Sequence, residues 1–244
     1  RSNGWLEFRR VLFRSSRTVV SKNKGSGFLS KKRELDEFLN EIFSNSITKI
    51  SLKTRIGKDE PEEFYDLIKI FNKYPIEELI IHPRVQKDFY KNKPNLEIFK
   101  EALILSKNPV CYNGDIFTVK EYKEFLTDFP SVDTLMLGRG LLANPAMSRY
   151  IKNNIKLEKD SLKDFHDKIY EDYKKVLFGD KNVLYKMKEL WLYMILDFSN
   201  NVKYAKKIKK SERLYDYDEA VSSLFREQDI LENWAESILR SVEL

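Results

Sequence analysis

Cysteine, histidine, glycine and proline are all scarce in this chain. One Cys in 244 residues excludes an internal disulfide, and the two His and one Cys lack the spacing of metal ligands, so no metal site is expected. Eight Gly and seven Pro exclude a collagen-like repeat or a low-complexity chain. No apolar run approaches the ~18 residues of a membrane span, so no membrane partner is expected. The lone cysteine fits a reducing, cytoplasmic setting. A large excess of positive charge is missing too. The formal net charge is +6, but Arg1, Arg9, Arg10 and Arg14 against Glu7 supply +3 within the first 15 residues, leaving +3 over the other 229. The chain as a whole has globular composition, 34% charged, 42% hydrophobic and 13% aromatic, in a length that holds one large domain or two ordinary ones.

The first residues stand apart. Five of the 13 arginines fall within the first 17 positions, while Lys dominates afterwards. Leu6-Glu7-Phe8-Arg9-Arg10-Val11-Leu12-Phe13-Arg14-Ser15 is the translation of CTG GAG TTC AGA CGT GTG CTC TTC CGA TCT, which reads as a common sequencing-adapter oligonucleotide. The rival reading is a basic amphipathic targeting segment with Trp5, Phe8, Leu12 and Phe13 as its apolar side. Residues 1–15 are set aside as a non-native leader, and the native chain is expected to begin near Ser16, cut off upstream.

Beyond Ser30 the pattern is regular. Leu35, Phe38, Leu39 and Ile42 recur at three and four residues, predicting a helix. The alternation over 47–56 predicts a strand, and 61–71 a helix opened by Pro61. Strands at 79–82, 109–112 and 134–137 alternate with helices at 95–105, 118–125 and from about 145. Four strand–helix units in succession imply parallel strands joined by crossovers. From about 155 only helical patterns remain: one with Leu162, Phe165, Ile169 and Tyr173, then 184–198, 202–210, and one or two helices over 220–242. A partial α/β domain over 16–154 and a helical domain over 155–244 follow.

Each strand ends in polar or glycine residues: Lys53 and Arg55; His82 and Arg84; Asn113 and Asp115; Gly138 and Arg139. In parallel α/β proteins these carboxyl ends line the ligand site. Gly138-Arg139-Gly140 lets backbone N–H groups approach an anion that Arg139 then grips, and Asn113-Gly114-Asp115 lies one unit earlier. Either tripeptide alone is equally a turn. Lys53, in a strand whose neighbours Ile50 and Leu52 are apolar, needs a polar partner such as a flavin ring carbonyl or phosphate, unless it snorkels at a strand edge. His82 closes an apolar strand and reads as either a site residue or a structural one. His166 falls among Lys and Asp on a polar helical face and receives no role. Cys111 reads as a buried structural thiol. Lys203, Lys206, Lys207, Lys209, Lys210 and Arg213 form the densest basic run, suited to phosphates or to plain solvation. Residues 161–244 nonetheless hold 15 basic and 16 acidic side chains.

Taken in order, Lys53-Thr54-Arg55-Ile56-Gly57, His82-Pro83-Arg84, Asn113-Gly114-Asp115-Ile116 and Gly138-Arg139-Gly140-Leu141-Leu142-Ala143-Asn144-Pro145 resemble the tRNA-dihydrouridine synthases over residues 17–150. The resemblance implies an FMN-binding TIM (β/α)8 barrel followed by an all-α tRNA-binding domain, of which this chain holds the C-terminal half of the barrel. It implies reduction of uridine in tRNA to 5,6-dihydrouridine, with FMN reduced by NADPH and a cysteine acid protonating the base. Lys53 and His82 are then expected at the flavin ring. Asn113, Gly114 and Asp115 fall on the ribityl-phosphate side, Gly138 and Arg139 at the phosphate, and Arg84 near the tRNA. Lys203, Lys206, Lys207 and Lys210 are the candidate tRNA contacts of the helical domain. Pro83 departs from the family, where Gly or Ala is frequent.

A second departure is larger. The family's Asn-x-x-Cys-Pro motif precedes a Gly-Ser-Gly stretch by about eleven residues, which puts its cysteine near Arg14, inside the leader. Half a barrel cannot close, so the chain as written is expected to be inactive and to self-associate through exposed strand edges. Two other readings compete: a non-catalytic RNA-binding protein, and another FMN- or phosphate-binding barrel oxidoreductase.

Overall fold

A computed structural model describes residues 24–89 and 92–231. The leader, the position of the expected family cysteine and the end of the last predicted helix lie outside the described residues. The chain divides into two compact units. One comprises the described residues up to Asp115 together with Leu126–Met136; the other comprises Ile116–Phe125 and the described residues from Leu137 onward.

The first unit is built on a parallel sheet of four strands in the order β1-β2-β3-β4: β1 Leu52–Gly57, β2 Leu79–Val85, β3 Val110–Tyr112 and β4 Thr134–Leu135. Helix α1, Lys32–Asn45, precedes β1; α2, Phe64–Phe71, and α3, Leu96–Leu105, make the first two crossovers. Helix α4, Val119–Asp128, follows β3, and its residues are shared between the two units. The expected alternation of strand and helix is therefore present. The first strand is shorter than its pattern: it starts at Leu52, and Ile47 is fully exposed, so the alternation of residues 47–51 has no sheet to face. Local capping sets the helix starts. The Asn95 side chain accepts the Ile98 amide at 3.0 Å, and Thr118 with Glu121 forms a reciprocal capping pair at 3.0 and 3.1 Å.

Register decides which side chains share a face. Lys53 pairs with Ile80, Ile80 with Cys111 and Cys111 with Thr134, while Arg55 pairs with His82. Side chains two apart on a strand point the same way. Lys53, Arg55, His82, Arg84, Cys111 and Asn113 thus fall on one face. The opposite face takes the helices. Phe99 of α3 packs edge-on against Tyr112 at 4.8 Å and against Phe129 at 5.5 Å, over the buried Leu67, Phe71 and Ile81.

The second unit is helical: α5 Arg139–Ala143, α6 Met147–Asn153, α7 Lys159–Val176, α8 Asp180–Met194, α9 Asn201–Lys210 and α10 Leu214–Glu227. Its core gathers Phe117, Leu162, Leu184, Met187, Trp191, Phe198, Tyr204, Tyr217 and Leu224. Among the described residues, no helix of the protein is long and apolar enough to cross a membrane. His166 corrects the sequence reading. It is 2% exposed, on the stripe Leu162, His166, Tyr170 that α7 turns to the core. Three partners make this tolerable. Trp191 Nε1–H donates to the Tyr217 hydroxyl at 2.7 Å, Tyr217 lies 2.5 Å from His166 Nε2, and His166 Nδ1 lies 2.8 Å from Asp167. Asp167 accepts only, so Nδ1 carries the proton and Tyr217 donates to Nε2.

Candidate functional site

Polar residues on one face of the sheet, from Lys53 near the start of β1 to those at and beyond the ends of β2 and β3, form two connected groups. The first starts at Lys53, which is half-buried. Its ammonium donates to Asn113 Oδ1, and Asn113 Nδ2 donates onward to the Met136 carbonyl at 2.6 Å. The chain of bonds runs from β1, past the end of β3, to the end of β4, and so fixes the Asn113 amide orientation. Burial, and then the positive charge of Arg55, push the Lys53 ammonium down to about 8. One hydrogen bond occupies one of three ammonium donors. The others suit an acceptor-rich ligand such as a carbonyl or phosphate oxygen.

The second group centres on Arg84, whose side chain is 2% exposed. Its Nη1 donates to Asp115 Oδ1 at 2.9 Å, and Nη2 donates to Asp115 Oδ2, a bidentate pair. Nε donates to the Asn92 carbonyl at 2.5 Å, and Nη1 also lies 3.2 Å from His82 Nε2. Arg84 and Asp115 thus meet each other, while Lys53 and Asn113 meet separately. Gly114 sits between the two groups for a steric reason: a Cβ there would overlap the Tyr112 hydroxyl and ring.

Arg55, noted in the sequence only as a rim residue, has a task of its own. It is 5% exposed and donates to the carbonyls of Val85, at 2.6 Å, and Phe89, at 3.3 Å. Phe89 has a φ of 50°, a backbone conformation rare outside glycine, so Arg55 grips the turn that follows β2. No sequence pattern signals a non-glycine residue in that state. Cys111 lies on the Lys53 face, buried, with its thiol pushed up to about 11 by burial. A thiol so placed is a poor acid and a poor nucleophile at neutral pH.

Gly138 and Arg139 belong to the second unit. Arg139 stacks over the Phe117 ring at 5.0 Å. Gly138 is open, whereas a Cβ at Gly140 would meet the Ile116 carbonyl at 2.5 Å, so Gly140 serves close packing. The helix opening there, α5, has five residues and adds little dipole. On α9, Tyr204 and Ile208 are buried and Lys203, Lys206, Lys207, Lys209 and Lys210 are exposed. Lys203 and Lys206 edge a cavity of about 850 Å³, beside Tyr204 and Gln228.

A family model described as dihydrouridine synthase (Dus) matches residues 16–240. The chain belongs to the dihydrouridine synthase family. Within that family it is 30% identical over 151 residues to tRNA-dihydrouridine synthase B of Pasteurella multocida (strain Pm70), covering 60% of this chain and 44% of that protein. It is 25% identical over 136 residues to tRNA-dihydrouridine(16) synthase of Pseudomonas syringae pv. tomato (strain ATCC BAA-871 / DC3000), covering 54% and 43%. To a probable tRNA-dihydrouridine synthase of Staphylococcus aureus (strain Mu50 / ATCC 700699) it is 28% identical over 164 residues, covering 64% and 49%. The chain spans about half the length of these dihydrouridine synthase relatives.

Proposed function

We propose that this chain supplies the flavin-phosphate side and the helical tRNA-binding part of a cytoplasmic tRNA-dihydrouridine synthase, an FMN- and NADPH-dependent oxidoreductase. In this reading the four parallel strands are part of a (β/α)8 barrel over residues 16–154, and residues 155–244 form the tRNA-binding domain. The observation that carries it is the half-buried Lys53 ammonium of β1 bonded to Asn113, which follows β3, on one face of the parallel sheet. A cation with donors to spare fits an acceptor-rich flavin ring. FMN bound by these residues would supply hydride-transfer chemistry, with NADPH as the reductant and the uracil as acceptor.

The chain's own residues bind and orient. Lys53 and His82 contact the ring, Asn113, Gly114 and Asp115 shape the ribityl-phosphate side, and Gly138 with Arg139 holds the phosphate. Arg84 lies behind His82 on the side of the tRNA. Lys203, Lys206, Lys207 and Lys210 neutralise tRNA phosphates. The base is turned out of the folded RNA to reach the ring. Proton delivery to C5 needs an acid, which the family resemblance makes a cysteine, and buried Cys111 is unsuited to it. The 244 residues alone are therefore expected to bind FMN without turnover.

Quenching of FMN fluorescence on titration with the chain tests this reading. Saturable binding that weakens at least tenfold in Lys53→Met is the expected result. Equal binding by both proteins overturns the role of Lys53. Salt-sensitive tRNA binding with no flavin binding favours the non-catalytic RNA-binding reading instead.

A further inference from the structure

We propose that Arg84 is a positioning residue which, held by Asp115, keeps the His82 imidazole in its neutral, Nδ1-protonated tautomer. The argument begins with what a guanidinium is able to do. It carries N–H donors only, accepts nothing and does not lose its proton in proteins. Arg84 Nη1 stands 3.2 Å from His82 Nε2. A hydrogen bond at that distance requires a lone pair on Nε2. A proton there would set two N–H groups against each other in a buried place, beside a fixed positive charge. The imidazolium form carries the same proton and a second charge.

Arg84 has no room to swing away from this contact. Its fork is bidentate to Asp115, its Nε is spent on the Asn92 carbonyl at 2.5 Å, and its side chain is 2% exposed. Asp115 follows β3 and Asn92 follows β2, so the two loops fix the guanidinium and the guanidinium fixes the ring. Free imidazole side chains favour the opposite tautomer, with the proton on Nε2, so the assignment runs against the intrinsic preference. With Nε2 committed, Nδ1–H is the one donor the ring has. This last consequence rests on the proposed function: His82 then meets an acceptor of the flavin through Nδ1–H, and Arg84 acts through it without touching the reacting atoms. Nothing in the sequence separates an arginine that touches tRNA from one that sets a tautomer.

The chain has two histidines, so its long-range 1H–15N imidazole spectrum contains two spin systems. On the 15N-labelled full chain at pH 8, His82→Asn identifies which one disappears. The expected His82 pattern has a pyrrole-type Nδ1 and a pyridine-type Nε2. In Arg84→Lys, an ammonium cannot span Asp115 and the ring in the same way. The His82 signals should then move toward the Nε2-protonated pattern, with the His166 pattern unchanged as the control for folding. An Nε2-protonated ring in the unaltered chain overturns the proposal, and so does a His82 pattern that Arg84→Lys leaves as it was. If Arg84→Lys does not fold, the unaltered chain alone decides. The spectrum is read without flavin. A chain with the expected tautomer and no FMN binding keeps this assignment and loses the proposed function; FMN binding with the other tautomer does the reverse.

Discussion

Lys53 and Asp197 are charged side chains held where charge is unwelcome, and their effects on stability run in opposite directions. The Lys53 pKa is pushed down to about 8, against about 10.4 in an unfolded chain. Between those values the unfolded state binds more protons, so stability rises with pH across the window and the penalty is complete below about 8. Lys53→Met should therefore raise stability at pH 7 by about 1–3 kcal/mol, with the gain fading toward pH 10. Urea unfolding at both pH values checks it; a gain equal at the two would refute the ionic origin. Asp197 is fully buried and among the described residues neither carboxyl oxygen has a hydrogen-bond partner, so burial holds its pKa well above the usual carboxylate range. Here the folded state binds the extra proton, and stability falls as pH rises from about 3.9 through the raised value. Asp197→Asn should stabilise the chain by about 1–3 kcal/mol at pH 8 and hardly at all near pH 3. His166 behaves like Lys53. Its pKa is lowered by burial, with Asp167 opposing, so folding resists its protonation and stability declines as pH drops below about 6.5. Tyr217→Phe removes the hydroxyl that pairs with Trp191 Nε1 and His166 Nε2 and should cost about 1–3 kcal/mol, read as a lower melting temperature by Trp fluorescence.

Among elements, the paired loops after β2 and β3 are the most exacting feature of the sheet. Removing one partner of the Arg84–Asp115 pair strands a buried charge and should cost about 3–5 kcal/mol. Arg84→Met combined with Asp115→Leu should cost less than the two single changes summed, and strict additivity in a double-mutant cycle would deny the coupling. The helices and strands themselves were largely legible, because apolar periodicity and turn residues are local signals. Leu35 and Leu39 marked α1 and Asn95 marked the start of α3, whereas Lys53 and His82, expected at strand ends, are the second residue of β1 and a middle residue of β2. The rest was not local. Ile47 has strand-like neighbours in sequence but no neighbouring strand in space. His166 looked solvated from its charged neighbours because the two partners that accommodate it in the core, Tyr217 and Trp191, lie 51 and 25 residues away. The candidate site divides likewise. That Lys53, His82 and Asn113 belong to one rim follows from strand order, whereas the bonds Lys53–Asn113 and Arg84–Asp115 depend on register and rotamer, which a single sequence does not encode locally.

For the molecule as a whole, modest net charge means that the tRNA affinity proposed above is organised by patches and not by overall field. Lys203→Ala and Lys207→Ala on α9 should each reduce the slope of log K against log salt by about 1, with little change in stability, since both side chains are exposed. Nitrocellulose filter binding over a salt series measures this. Among the described residues the sheet has β1 and β4 as its edges, and these present backbone donors and acceptors suited to pairing with another chain. Size-exclusion chromatography should show mass rising with concentration, and an invariant monomer would contradict it. A different consequence follows from the way the backbone is divided. The path passes between the two units after Asp115, again after Phe125 and a third time after Met136. Phe117, whose ring lies in the helical core and beneath Arg139, is thus encoded ahead of β4. Neither unit is a continuous stretch of gene. An expressed piece beginning at Leu137 would carry every long helix of that core and still be missing one of its walls, so a split at any single codon mutilates at least one unit. Recombination, proteolytic trimming and fusion design all meet the same obstacle: the two halves are interleaved in the message before either is assembled in space.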